Sequence, residues 1–229
     1  MRPPSCLLAV GAVMAVAALT AVPAVPALGA PKLPHAPACP SCGHNLILNP
    51  GAEAGRGADS DSIVKVPDWK QTGGFTAAQY AWGGGDVSAT SPGPKNRGKN
   101  YFYGGPDAAR STGTQMIAIK PAGVSSGKVL YAVSAWLGGY DSQGDDAALY
   151  VTFENSSGAA LGSVSLGPVT EAQRDSNSEM LYRHKTGGVP AATTEVKVEL
   201  VIVRYSGSDN DGLADNLSLS FSMPAAKAH

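Results

Sequence analysis

Charge is scarce in this chain. Of its 229 residues only 15% are Asp, Glu, Lys or Arg, and 17 basic against 18 acidic side chains leave a formal net charge of −1. So balanced a composition carries no electrostatic footprint for nucleic acid. Histidine is also rare: His35 and His44 lie near the start and His229 is the last residue, which leaves only His184 within the patterned part. A serine triad would have to be built on His184, and no motif around it does so. There is no His-Glu-x-x-His and no phosphate-binding glycine loop. The pairs Asp145 with Asp146 and Asp209 with Asp211 have the residue types of a glycosidase. Acids in glycine-rich loops, however, read first as solvated turns. The chain therefore reads as a non-enzyme, with a small hydrolase as the last alternative.

Long apolar runs are missing, with one exception. Cys6 to Leu19 is uncharged and apolar, follows the basic Arg2, and precedes small residues that offer cleavage sites at Ala27 or Ala30. This is the pattern of an export signal over residues 1–30 and is too short for a comfortable membrane span. The expectation is a secreted, extracellular protein with no membrane attachment after cleavage. Cysteine is equally sparse. Of three, Cys6 would leave with the signal, so Cys39 and Cys42 remain in Cys39-Pro40-Ser41-Cys42. That spacing suits a redox motif or half a zinc site, but no βαβ setting surrounds it and only His35 and His44 lie near. In an oxidising compartment a short local disulfide is the simpler reading.

What the chain does have is glycine, 28 residues, and proline, 17. Residues 31–44 are proline-rich without periodicity and read as a linker carrying the Cys-x-x-Cys. Residues 45–223 read as one domain, and residues 224–229 as a frayed tail. Within the domain, Tyr131 to Leu137 and Ala148 to Glu154 alternate, as do Val196 to Ile202 and Leu217 to Phe221. Thr114 to Ile119 and Ala160 to Leu166 are weaker examples. Thr170 and Glu171 cap the one short helical turn, within Val169 to Asp175. Short alternating strands separated by turns indicate an all-β antiparallel β-sandwich.

The order of motifs resembles a known family. Asn45-Leu46-Ile47-Leu48-Asn49-Pro50-Gly51-Ala52-Glu53 is similar to the opening of galactose-binding-like, jelly-roll carbohydrate-binding modules. Trp69 in Val66-Pro67-Asp68-Trp69, the strand Tyr131 to Leu137, and the closing Asp215-Asn216-Leu217-Ser218-Leu219 match later motifs of that family. The resemblance spans residues 45 to 221 and implies a jelly-roll sandwich that binds carbohydrate, such as a cell-wall polysaccharide. It also implies a structural calcium held by Glu53 and Asp215, with Asn49 contributing a carbonyl or side-chain oxygen. Carboxylates from the two ends of a domain would clip its termini together through such an ion. Ala52 stands where the family has Phe. The same fold without sugar affinity, as a cell-surface structural or protein-interaction module, is the alternative.

Sugar recognition combines an aromatic face with a few polar groups. Trp136 and Tyr150 alternate away from the inward rows of their strands, and the two rings would share an outer surface if those strands were neighbours. Trp82, and Tyr140 with Gln143 in the loop Gly138 to Asp146, complete the candidate set. Tyr101 to Tyr103 and the acids Asp209 and Asp211 read as loop residues.

Overall fold

The computed structural model describes residues 39–224. The expected signal, residues 31–38 of the linker and residues 225–229 lie outside that range. Among the described residues ten strands form: β1 (Lys70–Thr72), β2 (Thr76–Gln79), β3 (Asn100–Gly105), β4 (Arg110–Ala118), β5 (Leu130–Gly139), β6 (Asp146–Glu154), β7 (Ala160–Leu166), β8 (Glu179–Gly188), β9 (Glu195–Val203) and β10 (Asn210–Ser222). They make two five-stranded sheets, one in the order β1-β4-β9-β6-β7 and the other β2-β3-β10-β5-β8. Every pairing is antiparallel. The expected β-sandwich is what the chain forms.

Alternation explains the core. Val196, Val198, Leu200 and Ile202 of β9 are buried, and they meet Leu149, Val151 and Phe153 of β6 and Val133, Ala135 and Leu137 of β5. Phe153 lies between Tyr131 and Phe221, with ring centroids 5.2 and 6.4 Å away. The turn read at Thr170 is present as a 3₁₀ helix, Glu171–Arg174, closed by a reciprocal Thr170–Gln173 capping box.

Four strands escaped the sequence reading, β1, β2, β3 and β8, and the two longest did so for opposite reasons. All six residues of β3 are buried, so Tyr101, Phe102 and Tyr103 are strand residues and not loop aromatics. A strand covered on both faces shows no alternation to detect. The edge strand β8, by contrast, buries little beyond Met180, so its polar sequence gives no apolar row.

The closing strand carries the principal irregularity. Asp215 pairs with Trp136 but Ser218 pairs with Ser134, so one extra residue is accommodated in β10. Asn216 absorbs it with φ +48°, a left-handed conformation that Asn tolerates. The bulge changes the phase of the strand. Ala214 faces the core before it, whereas Leu217, Leu219 and Phe221 face the core after it. Beyond the bulge β10 no longer pairs with β3, and the stretch before Pro50 takes that place. Asn45 grips it with Nδ2 on Leu217 O and with Oδ1 accepting Leu219 N–H, while Leu46 N–H bonds Leu219 O. The Cys39–Cys42 disulfide is formed, and Cys42 bridges to Phe221. Residues 39–44, read as linker, thus attach to the last strand.

Gly113 of β4 lies under the Phe75 ring, and a methyl group there would come within 2.3 Å of it. Gly113→Ala should destabilise the domain by about 1–3 kcal/mol through overpacking. The double variant Gly113→Ala/Phe75→Leu should recover part of that loss in a denaturant melt.

Candidate functional site

The outer face of the β1-β4-β9-β6-β7 sheet carries a polar groove of about 560 Å³. The register builds it. Tyr150 on β6 stands beside Glu199 of β9 and Ser165 of β7, while Thr152 stands beside Ser163. Tyr150 is 42% exposed. Val201 is outward-facing yet only 5% exposed, lies outside the main core and lines the groove. Lys197 binds Glu199 at 2.9 Å. An aromatic ring among hydroxyls and an ion pair on a concave sheet suits a polar, ring-containing ligand.

Trp136 is elsewhere. Strands β5 and β6 belong to different sheets, so Trp136 and Tyr150 occupy opposite outer faces and cannot form one platform. Trp136 packs instead against a second cluster that includes Tyr80, Tyr101, Tyr103, Met180 and Leu213, and Trp82 packs on the same cluster. From its edge a strip of rings emerges: Trp136 to Tyr182 at 5.6 Å and Tyr182 to His184 at 5.7 Å. Tyr182 is 49% exposed. Met180, Tyr182 and His184 alternate along β8, which was the missed signal.

Tyr140 and Gln143 share the β5–β6 loop. That loop is held by Arg174, whose buried guanidinium donates to the carbonyls of Gly139, Asp141, Asn177 and Gln143. Burial lowers its pKa, and among the described residues it forms no ion pair. Gln143 Oε1 accepts the Ser206 hydroxyl at 3.4 Å, so this side chain is partly committed to the β9–β10 loop.

Glu53 and Asp215 do come together. A side chain at Gly51 would lie 3.2 Å from Asp215 Oδ1 and 3.8 Å from Glu53 Cγ, so both acids flank that glycine. Asp215 is 0% exposed and accepts the Tyr80 hydroxyl and the Asn216 N–H, yet has no ion-pair partner among the described residues. Burial, with Glu53 adding to it, raises its carboxyl to about 7. Glu53 Oε1 takes the N–H groups of Lys99 and Asn100. A divalent cation suits two such acids in charge. Among the described residues no cluster of three or more His, Cys, Asp or Glu could hold a metal, so backbone carbonyls would have to complete a calcium shell. Asn49 fits less well. Its side-chain oxygen accepts Ala54 N–H, its amide donates to Pro67 O, and its carbonyl accepts Trp69 Nε1–H.

Of the remaining acids, Asp209 stays in a half-exposed bend, but Asp145, Asp146 and Asp211 are not the solvated turns the sequence implied. Asp145 is buried and accepts the backbone N–H groups of Tyr205, Ser206 and Asp211, organising three stretches of chain. Asp146 and Asp211 are also buried. Burial raises each to about 6, with Asp145 adding in both cases. Asp86 is raised to about 8 by burial and then by Asp211, and its Oδ2 has no hydrogen-bond partner among the described residues. Among the described residues none of these acids meets a histidine, and the hydroxyl that Asp211 accepts, from Tyr103 at 3.3 Å, has its pKa raised by burial. One pattern the sequence reading passed over, Gly123-Val124-Ser125-Ser126-Gly127, has the letters of a nucleophile elbow. It forms an irregular turn between β4 and β5 rather than the strand-to-helix bend that motif requires.

No family model matches the chain, and no curated protein matches it significantly. Solved structures similar to it include the enzymatically active domain of bacteriophage CBA120 tailspike protein 4, at 14% identity and a TM-score of 0.47 over 78% of this chain. The match covers 21% of that protein. TmCBM61 in complex with beta-1,4-galactotriose is similar at 14% identity and a TM-score of 0.45, over 77% of this chain and 98% of that one. A cyclase from Fischerella sp. TAU in complex with 4-(1H-indol-3-yl)butan-2-one is similar at 14% identity and a TM-score of 0.49, over 79% and 98%. Binding module and enzymes stand side by side here, and overlaps this loose assign neither ligand nor reaction to the chain.

The buried acids set a pH dependence. Asp86, Asp146, Asp211 and Asp215 keep their protons in the folded state to about 8, 6, 6 and 7, against 3.8 ordinarily. Their contribution to stability is present below about pH 4 and is lost as pH rises through 6 to 8. In chelator, the melting temperature should therefore fall between pH 5 and pH 8. Asp86→Asn should raise it at pH 8 by about 4 °C or more and by clearly less at pH 5. A profile in Asp86→Asn as steep as in the wild type would show that Asp86 is not its source.

Proposed function

We propose that this chain is an exported, non-catalytic carbohydrate-binding protein that takes a polysaccharide in the groove around Tyr150 and is stabilised by calcium between Glu53 and Asp215. The observation that carries the reading is the half-exposed Tyr150 ring set among hydroxyls in a concave sheet face. Rows across four strands are about 14 Å wide at ordinary strand spacing, which gives room for several sugar rings rather than one. A panel of cell-wall polysaccharides should yield at least one ligand whose affinity falls about tenfold in Tyr150→Ala, from loss of one stacking contact. The strip Trp136–Tyr182–His184 is the second reading, favoured by its three successive exposed or half-exposed rings. Loss of binding in Tyr182→Ala with Tyr150→Ala intact would move the site there. Retention of no glycan at all would leave a protein-interaction sandwich, and turnover of one would make the chain a hydrolase.

Calcium is tested separately. An ion bound only by the folded state adds RT ln(1 + [L]/Kd), about 2.7 kcal/mol at a hundredfold excess over Kd. In a domain of this size, that raises Tm by roughly 5–10 °C. Asp215→Ala should abolish the shift, whereas Asp141→Ala, in the exposed β5–β6 loop, should keep it. If chelator leaves the wild-type Tm unchanged at pH 7.5, Glu53 and Asp215 hold no calcium.

A further inference from the structure

The groove around Tyr150 has an uneven charge. Its acidic member, Glu199, is already held by Lys197, whose amine lies 2.9 Å from the Glu199 carboxylate. Its two remaining charged members are both cations, Arg110 at the start of β4 and Lys185 on β8. Both are exposed, and neither forms an ion pair among the described residues. Asp146, which lies across β9 from Arg110, is buried and does not line the groove.

The placement of the two cations matters as much as their sign. Strands β9, β6 and β7 lie between β4 and the edge where Lys185 arrives from the other sheet. At ordinary strand spacing the backbones that carry them are about 14 Å or more apart across the sheet, with the Tyr150 strand between them. A lone carboxylate or phosphate would have to draw both long side chains together to use both. A polymer with a charge on each repeating unit could meet both while laying a ring on Tyr150. Opposite charge on a ligand is attracted along such a cleft, and the attraction weakens with added salt.

The geometry points to an anionic polysaccharide, a polyuronate, as the ligand class of this groove, with Arg110 and Lys185 binding its carboxylates. This rests on the reading of the groove as a glycan site. Soluble polygalacturonate and its carboxyl-reduced, neutral counterpart serve as probes, with wild type, Arg110→Ala, Lys185→Ala, Arg110→Lys and Tyr150→Ala compared after each is shown to melt like the wild type. Polygalacturonate should bind at least about tenfold more tightly than the neutral polymer, one such factor being 1.4 kcal/mol. That preference should shrink in Arg110→Ala and Lys185→Ala, survive in Arg110→Lys, and fade in 0.5 M salt. Tyr150→Ala should weaken both polymers. Equal affinity for charged and neutral polymers, both lost in Tyr150→Ala, overturns the polyuronate assignment and leaves the groove a glycan site. Polygalacturonate binding that ignores Tyr150, Arg110 and Lys185, or binding of neither polymer, also overturns the polyuronate assignment, and the glycan reading itself falls only if no member of the polysaccharide panel binds through Tyr150.

Discussion

A single extra residue in the last strand organises this molecule. The bulge at Asp215–Asn216 switches which face of β10 looks inward, so that Leu217, Leu219 and Phe221 enter the core in step with Ala214. A strand of regular phase would send those three side chains outward. Asp215, at the same irregularity, accepts the Tyr80 hydroxyl and feels the charge of Glu53, and there β3 ends its pairing and the opening segment begins. Chain entry, chain exit and one buried charge are thus settled at one point.

The two sheets then divide the labour. The β2-β3-β10-β5-β8 sheet is covered on much of its outer face by the second aromatic cluster, built on Tyr80, Tyr101 and Tyr103. Arg97 helps hold the covering loop, since it bonds the carbonyls of Ser88, Ser91 and Pro94 and lies 5.0 Å above the Tyr80 ring. The other sheet leaves the hydroxyls of β6 and β7 and the Lys197–Glu199 pair of β9 open. A ligand surface is therefore most accessible where the chain spent few large side chains on its outer face.

Legibility in the sequence follows burial on one side only. Rows such as Val196 to Ile202 alternate because one face meets the core and the other meets water, and those strands were readable. β3 is buried on both faces and shows no period, and β8 is buried on hardly either, so its one alternating row, Met180, Tyr182 and His184, is not a core-facing apolar row. The site was legible in part. The outward direction of Tyr150 and of Trp136 follows from alternation alone, but which sheet each strand joins is a long-range matter that no local pattern contains. Arg110 and Lys185 are unremarkable in sequence and acquire a shared role only through strand order. The burial of Asp145, Asp146 and Asp211 likewise depends on loops distant in the chain.

Arg174 gives the loop end of the sandwich an unusual property. Its charge is met directly by four carbonyl dipoles, with no acid in ion-pair contact among the described residues. Glu171, Glu179, Asp141 and Asp145 act from farther away, and a guanidinium keeps its proton even when burial lowers its pKa. Asp145, whose charge acts on Arg174, also acts on Asp146 and Asp211, and these two change charge near pH 6. The path of the β5–β6 loop is thus anchored by a group indifferent to acidity, while the electric field it sits in is not. Around neutrality this end of the protein behaves as a fixed frame with an adjustable potential.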